Sequence, residues 1–300
     1  MLSDSGIRPL GLHYDILRWS LLAKLCRCKL LFVSVGAGPI RHPLARFFVK
    51  TALTLADYRS YRDGFSKEYL KSIGFDADND AVYPDLAFSL PNGMLPNDQD
   101  DGDKCGPVGV GLITHYVQRS LSDDVEQIYR QYVTKMARFI NWLLEHNRTV
   151  RLLIGDLVYD SRVRNDVRTL LEQSGVTYEK SNIMDEPPGS FEELLSQLAS
   201  TKVVVASRFH NLLLALMLGK PTLAISFHEK DDSLMTAVGL QEFCQDIANL
   251  DVSTLIEQFV RLEESANRLR QEIRLKTKGY RSELDKQYSC IFEEIGADLH

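Results

Sequence analysis

Val203-Val204-Val205-Ala206-Ser207-Arg208-Phe209-His210-Asn211 concentrates side chains that could do chemistry. Four small apolar residues in a row read as a buried strand, which carries Ser207, Arg208 and His210 to its C-terminal end. A helix is expected over 210–218, so its first N–H groups point at the same spot, and such ends attract anions. Arg208 has a planar fork that can grip a carboxylate or phosphate by two parallel hydrogen bonds. His210 can give or take a proton near neutral pH. The plainer alternative pairs Arg208 with an acidic neighbour and makes His210 a helix cap.

Thr222-Leu223-Ala224-Ile225-Ser226-Phe227-His228-Glu229-Lys230 is the next strand end along the chain and a natural spatial neighbour of the first. His228, Glu229 and Lys230 offer an acid/base pair and a cation, or simply a solvated charged loop. Gly36-Ala37-Gly38-Pro39 follows an apolar run at 30–35 and permits close backbone approach to a ligand at Gly36 and Gly38. It fits neither GxGxxG nor a P-loop, so a structural turn is the preferred reading. Arg62 beside Asp63 is either an anion ligand or half of a local ion pair. His115 follows a strand expected at 108–113. The acidic run Asp98, Asp100, Asp101 and Asp103 lacks the Gly and terminal Glu of an EF-hand loop. Five cysteines (26, 28, 105, 244 and 290) match no zinc spacing and read as free thiols in a reducing cytosol. No metal and no cofactor are expected.

Strands alternating with helices must position these residues. Helices are expected at 14–28, 43–55, 66–73, 123–146, 162–173, 191–198 (Ser190 as N-cap) and 210–218, then near 252–278 and 280–294. Strands are expected at 30–35, 58–61, 82–85, 108–113, 150–154, 176–180, 202–206 and 222–226. The fold class is therefore α/β, with mostly parallel doubly wound sheets. The Pro-, Gly-, Asn- and Asp-rich segment before residue 108 reads as a linker. It divides residues 1–95, a partial α/β domain, from 108–300, with 96–107 between them. The first part shows only two or three strands, against about five or six for a full doubly wound sheet.

The chain has 300 residues, 44% hydrophobic and 25% charged, and a net charge of -6. That balance is globular, and it disfavours nucleic acid as a partner. Lys24, Arg27 and Lys29 interrupt the apolar stretch at 21–35, so no transmembrane segment is expected. A cytoplasmic protein, working in solution or peripherally at the inner face of the membrane, fits these features. Oligomeric state is not legible.

Several short segments, in this order, resemble the polysaccharide pyruvyl transferase family. They are Val33-Ser34-Val35-Gly36-Ala37-Gly38-Pro39-Ile40, Ala56-Asp57 with Ser60-Tyr61-Arg62-Asp63 and Ser66, and Pro84-Asp85-Leu86-Ala87-Phe88. Ser207-Arg208-Phe209-His210, Gly219-Lys220-Pro221 and Lys230 complete the set. The resemblance implies two Rossmann-like domains resembling GT-B glycosyltransferases, with an acceptor-side N-terminal domain, a donor-side C-terminal domain and a site in the cleft. It implies phosphoenolpyruvate as donor and a glycan or lipid-linked oligosaccharide as acceptor, in exopolysaccharide or cell-surface glycan biosynthesis. Arg208 and His210 match the family's arginine and histidine. Arg62 and Lys230 are assigned from the residues alone, as are Ser207, Phe209, Asn211, His228 and Glu229. The chain starts at a helix without the strand and "GN.GD"-like loop that usually open the family, which implies a truncated N-terminal domain. Two other readings stay open: a GT-B glycosyltransferase using a nucleotide sugar, and a catalytically degenerate member acting as a binding subunit.

Overall fold

A computed structural model describes residues 2, 11–96, 106–114, 123–155 and 160–296. Most of the expected linker, and His115, lie outside them. The chain forms two compact units, Met1–Leu90 with Lys278–His300, and Pro91–Thr277.

The first unit contains α1 (Leu12–Leu25), β1 (Leu31–Val35), α2 (Pro43–Thr54), β2 (Tyr58–Tyr61), α3 (Gly64–Ser72) and β3 (Ala81–Val82). Its three strands form a parallel sheet in the order β1-β2-β3. The core gathers Ile40, Val49, Leu53, Tyr61 and Leu70. Local chemistry starts α2 and α3: Pro43 occupies a first-turn position, where no N–H partner is needed, and the Asp63 carboxylate accepts from Ser66 N to cap α3.

The second unit contains β4 (Val108–Gly111), α4 (Asp123–Glu145), β5 (Val150–Leu153), α5 (Ser161–Gln173), β6 (Ile183–Met184) and α6 (Phe191–Ala199). It continues through β7 (Val203–Ala206), α7 (Phe209–Met217), β8 (Thr222–Ser226), α8 (Glu229–Ala237), β9 (Cys244–Asp246) and α9 (Val252–Glu264). All six strands are parallel, in the order β6-β5-β4-β7-β8-β9. Counted within the unit this is 3-2-1-4-5-6, the classic dinucleotide-fold order, with the winding reversing between β4 and β7. Helices cover both faces of the sheet's centre, so β7 is wholly buried and reads as an unbroken apolar run.

Four expectations needed correction. The strand expected at 176–180 is a 3₁₀ turn, Tyr178–Lys180, and the strand lies further on at Ile183–Met184. Tyr178 turns inward instead, donating from its hydroxyl to Asp185 at 2.7 Å under the Arg168 guanidinium. Residues 229–237 form α8 rather than a charged loop, because its acidic first turn suits a helix N-terminus. Edge strand β9 is short and polar and leaves no apolar signature. The last helices divide at Ser265, and α10 (Ala266–Gly296) runs straight through Gly279, whose surroundings are open.

That long helix also moves the domain boundary expected at 108–300. Two separate stripes of α10 are buried, Ala266, Leu269 and Ile273, then Leu284, Gln287 and Ile291. The first belongs to the second unit and the other to the first unit.

Candidate active site

Arg208 lies where the winding reverses, the position at which parallel sheets of this type bind ligands. Ser207 N donates to Gly111 O at 2.9 Å, which ties the end of β7 to the end of β4. One Arg208 nitrogen donates to Asp160 Oδ1 at 2.7 Å. Asp160 precedes α5, is fully buried, and also accepts from Thr114 N at 3.1 Å. A single carboxylate thus joins three strand-end segments. On its other side Arg208 lies across Gly155: a Cβ there would stand 2.2 Å from Arg208 Cδ. The buried guanidinium Nε has no partner among the described residues.

The neighbours divide into structural and exposed groups. Ser207 is fully buried, and its hydroxyl shares a 2.9 Å hydrogen bond with Tyr132 of α4. Burial pushes the Tyr132 hydroxyl pKa above its usual value, so this contact stays neutral. Asn211, one turn into α7, is also fully buried, and neither end of its amide has a partner among the described residues. It stands beside Gly111, where a Cβ would fall 2.9 Å from its nitrogen. His210 is exposed at the start of α7, edge-on to the ring of Phe209 at 5.9 Å.

Phe209 also receives the second strand end. The Lys230 ammonium lies 4.8 Å from the Phe209 ring centre and 5.7 Å from that of Phe227, a cation–π arrangement that brings its charge to α7. His228 caps α8, its Nδ1 accepting from Lys230 N at 3.2 Å. Glu229 is exposed, 3.6 Å from the same imidazole nitrogen. Of the three residues expected from this segment, Lys230 reaches Phe209 and His228 serves the helix.

Asp160 and Asp231 were missed in the sequence. Asp160 looks like an ordinary helix N-cap, yet its side chain makes no cap bond and turns to Arg208. Asp231 sits in the acidic start of α8 and looks solvated. It is fully buried, with one oxygen unpartnered and the other 3.4 Å from Phe227 N. Burial raises its pKa to about 7, against the pull of Lys230. Arg208, Asn211 and Asp231 therefore leave buried hydrogen-bonding capacity unused at the starts of two adjacent helices. Each such group costs about 1–3 kcal/mol, a cost folded proteins seldom carry without a functional reason.

The first unit holds the remaining candidates. Arg62 follows β2, bonds Asp63 Oδ2 at 3.2 Å and lies 3.5 Å from Asp85 Oδ2. Its guanidinium crosses Gly36, where a Cβ would stand 2.6 Å from Arg62 Cζ. The backbone of the glycine turn is occupied internally: Ala37 N donates to Ser66 Oγ and Gly38 N to Leu2 O, both at 2.9 Å. Gly36 therefore makes room for an arginine. Among the described residues, no group of three His, Cys, Asp or Glu is arranged to hold a metal ion.

Residues 2–229 match the sequence profile described as polysaccharide pyruvyl transferase. The chain belongs to the polysaccharide pyruvyl transferase family. The matched span of this pyruvyl transferase family member includes Gly36, Arg62, Arg208 and His210, and ends just before Lys230 and Asp231. No curated protein sequence matches the chain. Among solved structures it resembles a Listeria monocytogenes protein assigned as UDP-N-acetylglucosamine 2-epimerase (TM-score 0.65, 12% identity, 98% of this chain and 82% of that one). It also resembles S. aureus MnaA solved with UDP (TM-score 0.59, 12% identity, 98% and 83%). A third is a UDP-forming α,α-trehalose-phosphate synthase from Burkholderia vietnamiensis (TM-score 0.56, 10% identity, 93% and 73%). These likenesses establish a GT-B-like fold of Rossmann-like units for this pyruvyl transferase family member.

Proposed function

We propose that the protein transfers pyruvate from phosphoenolpyruvate to two hydroxyls of a glycan, forming a cyclic ketal, in the synthesis of exopolysaccharide or cell-surface glycan. The carrying observation is the cationic strand end built around Phe209, with Arg208 and Lys230 beside the start of α7. Phosphoenolpyruvate has a phosphate and a carboxylate, and each needs a cation. Arg208 grips one, helped by the N–H groups of α7, and Lys230 takes the other.

His210 gives a proton to the methylene carbon, which becomes a methyl group and leaves an oxocarbenium ion at the adjacent carbon. One sugar hydroxyl attacks that carbon and loses its proton. The C–O bond to phosphate then breaks, and a second hydroxyl closes the ketal, so inorganic phosphate leaves. Asp231, with a pKa raised by burial to about 7, exchanges its proton near neutral pH and so cancels only part of the Lys230 charge. No metal ion enters these steps. The acceptor is a free or lipid-linked glycan, handled in the cytoplasm.

Thermal unfolding with and without phosphoenolpyruvate tests the donor. At 100 times its dissociation constant, a ligand adds about 2.7 kcal/mol of stability. Arg208→Lys keeps a cation against buried Asp160 and loses the fork, so it is expected to fold and to lose most of the ligand-induced shift. Absence of a shift in the wild-type chain at millimolar phosphoenolpyruvate sinks this donor. Release of a nucleotide from a nucleotide sugar, with no phosphate from phosphoenolpyruvate, makes the protein a glycosyltransferase instead.

A further inference from the structure

Helix α1 reverses the usual distribution of side chains. Its inner stripe is His13, Leu17 and Ser20, two of them polar. Its outer half is apolar: Leu12 is 43% exposed, Trp19 61%, Leu21 45%, Leu22 45% and Leu25 81%, with Tyr14 at 38%. At about 100° per residue these six fall within one half-turn of the helix, accompanied by Arg18 and Asp15. A helix apolar on every side is normally buried, and among the described residues none covers the outer half. Single exposed leucines need no explanation, but a contiguous group centred on a tryptophan does.

Charge identifies the partner. Residues 11–50 contain seven Lys or Arg and one Asp, in a chain whose net charge is -6. Cys26-Arg27-Cys28-Lys29, at the end of α1, is exposed throughout. Arg27 even takes a left-handed backbone conformation, φ 57°, at a helix end where glycine is the less strained residue. Arg18 pairs with Asp15 and Lys24 with Asp57, and Arg27 and Lys29 are the exposed cations beside the apolar group. Apolar side chains flanked by such cations suit a surface with an apolar interior and an anionic face. A second copy of the chain would set these cations against one another, which disfavours self-association through this face.

We infer that α1 docks the protein on an anionic phospholipid surface, with Trp19, Leu22 and Leu25 among the acyl chains and Arg27 and Lys29 at the phosphates. The helix has 14 residues, well below the roughly 20 needed to span a bilayer, so it lies in the interface. This surface stands on α1 alone, whichever donor the active site uses.

Sedimentation with vesicles tests it, using phosphatidylcholine alone and phosphatidylcholine mixed with phosphatidylglycerol. The full chain is expected to sediment with the mixed vesicles only, and less as salt is raised. Arg27→Ala with Lys29→Ala should weaken partition about thirtyfold. Trp19→Ser with Leu22→Ser and Leu25→Ser should weaken it by a hundredfold or so, with an unchanged melting temperature because all three are exposed. Brominated lipid should quench the wild-type tryptophan signal, and Trp19→Phe should abolish that quenching while binding persists. The inference fails if the full chain stays in the supernatant with both vesicles, or if the triple serine variant binds as well as the wild type. It fails too if the wild type is a dimer that the triple variant converts to a monomer, since the face then pairs with itself. A phosphoenolpyruvate-induced melting shift is read without vesicles, so failure of the donor and failure of the docking surface are separable.

Discussion

Arg208 owes its position to what is missing opposite it. Gly155 has no Cβ, and any larger residue meets the arginine's aliphatic arm at 2.2 Å. Gly155→Ala is therefore expected to displace the guanidinium while leaving its charge. A fall of about a hundredfold in kcat/KM, against a stability loss of only about 1–3 kcal/mol, would separate positioning from folding. Asp231 gives a prediction with a definite sign. Its ordinary pKa is 3.8, and burial raises it to about 7 in the folded chain. The folded state therefore holds more protons than the unfolded state between these values, so this group lowers stability as pH rises from about 4 to 7. Asp231→Asn should flatten that decline and stabilise the protein by up to about 4 kcal/mol at pH 8, with little effect at pH 4. Urea unfolding at the two pH values checks it, and equal effects at both would remove the buried-acid assignment.

Gln287 shows how α10 serves the first unit. It is fully buried, donating to Ser60 Oγ at 2.6 Å and Tyr58 OH at 3.2 Å, and accepting from Ser34 Oγ at 3.1 Å. Ser34 needs such support because it interrupts β1 in a left-handed conformation, φ 46°, with its N–H turned to Ser60 Oγ. Gln287→Leu keeps the bulk and strands these hydroxyls, at an expected cost of about 2–4 kcal/mol. Faster hydrogen exchange confined to the β1 and β2 amides would show that the loss is local to that sheet. The helix itself follows from its sequence, since 266/269/273 and 284/287/291 are helical spacings. A glutamine in the second stripe reads as surface until the serines it meets are known.

For the whole molecule, the division at Thr277 and Lys278 makes the C-terminal segment part of the first unit's core. Removing residues 278–300 should unfold the first unit and leave the second folded, giving loss of part of the helical signal and one surviving cooperative transition. A single undiminished transition would contradict the division. Much of this protein is legible in its sequence. Runs such as Val203–Ala206 and Thr222–Ser226 can only be buried strands, because central parallel strands are covered on both faces. The helix cap at Ser190 follows from a side chain that bonds its own backbone, whereas Asp63, which the sequence offers as a partner for Arg62, also caps α3. The ordered segments from Val33 to His210 indicate the family for the same reason: turns and strand ends depend on local residue types. Local pattern does not say which distant groups meet. Asp160 and Arg208 are 48 residues apart in the chain, and only the 3-2-1-4-5-6 winding brings them together. The sequence determines which residues can carry charge and which elements they end. Tertiary structure decides which charges are paired, which are buried, and so which pKa values move, because desolvation and Coulomb energy depend on distances that the chain acquires only when folded.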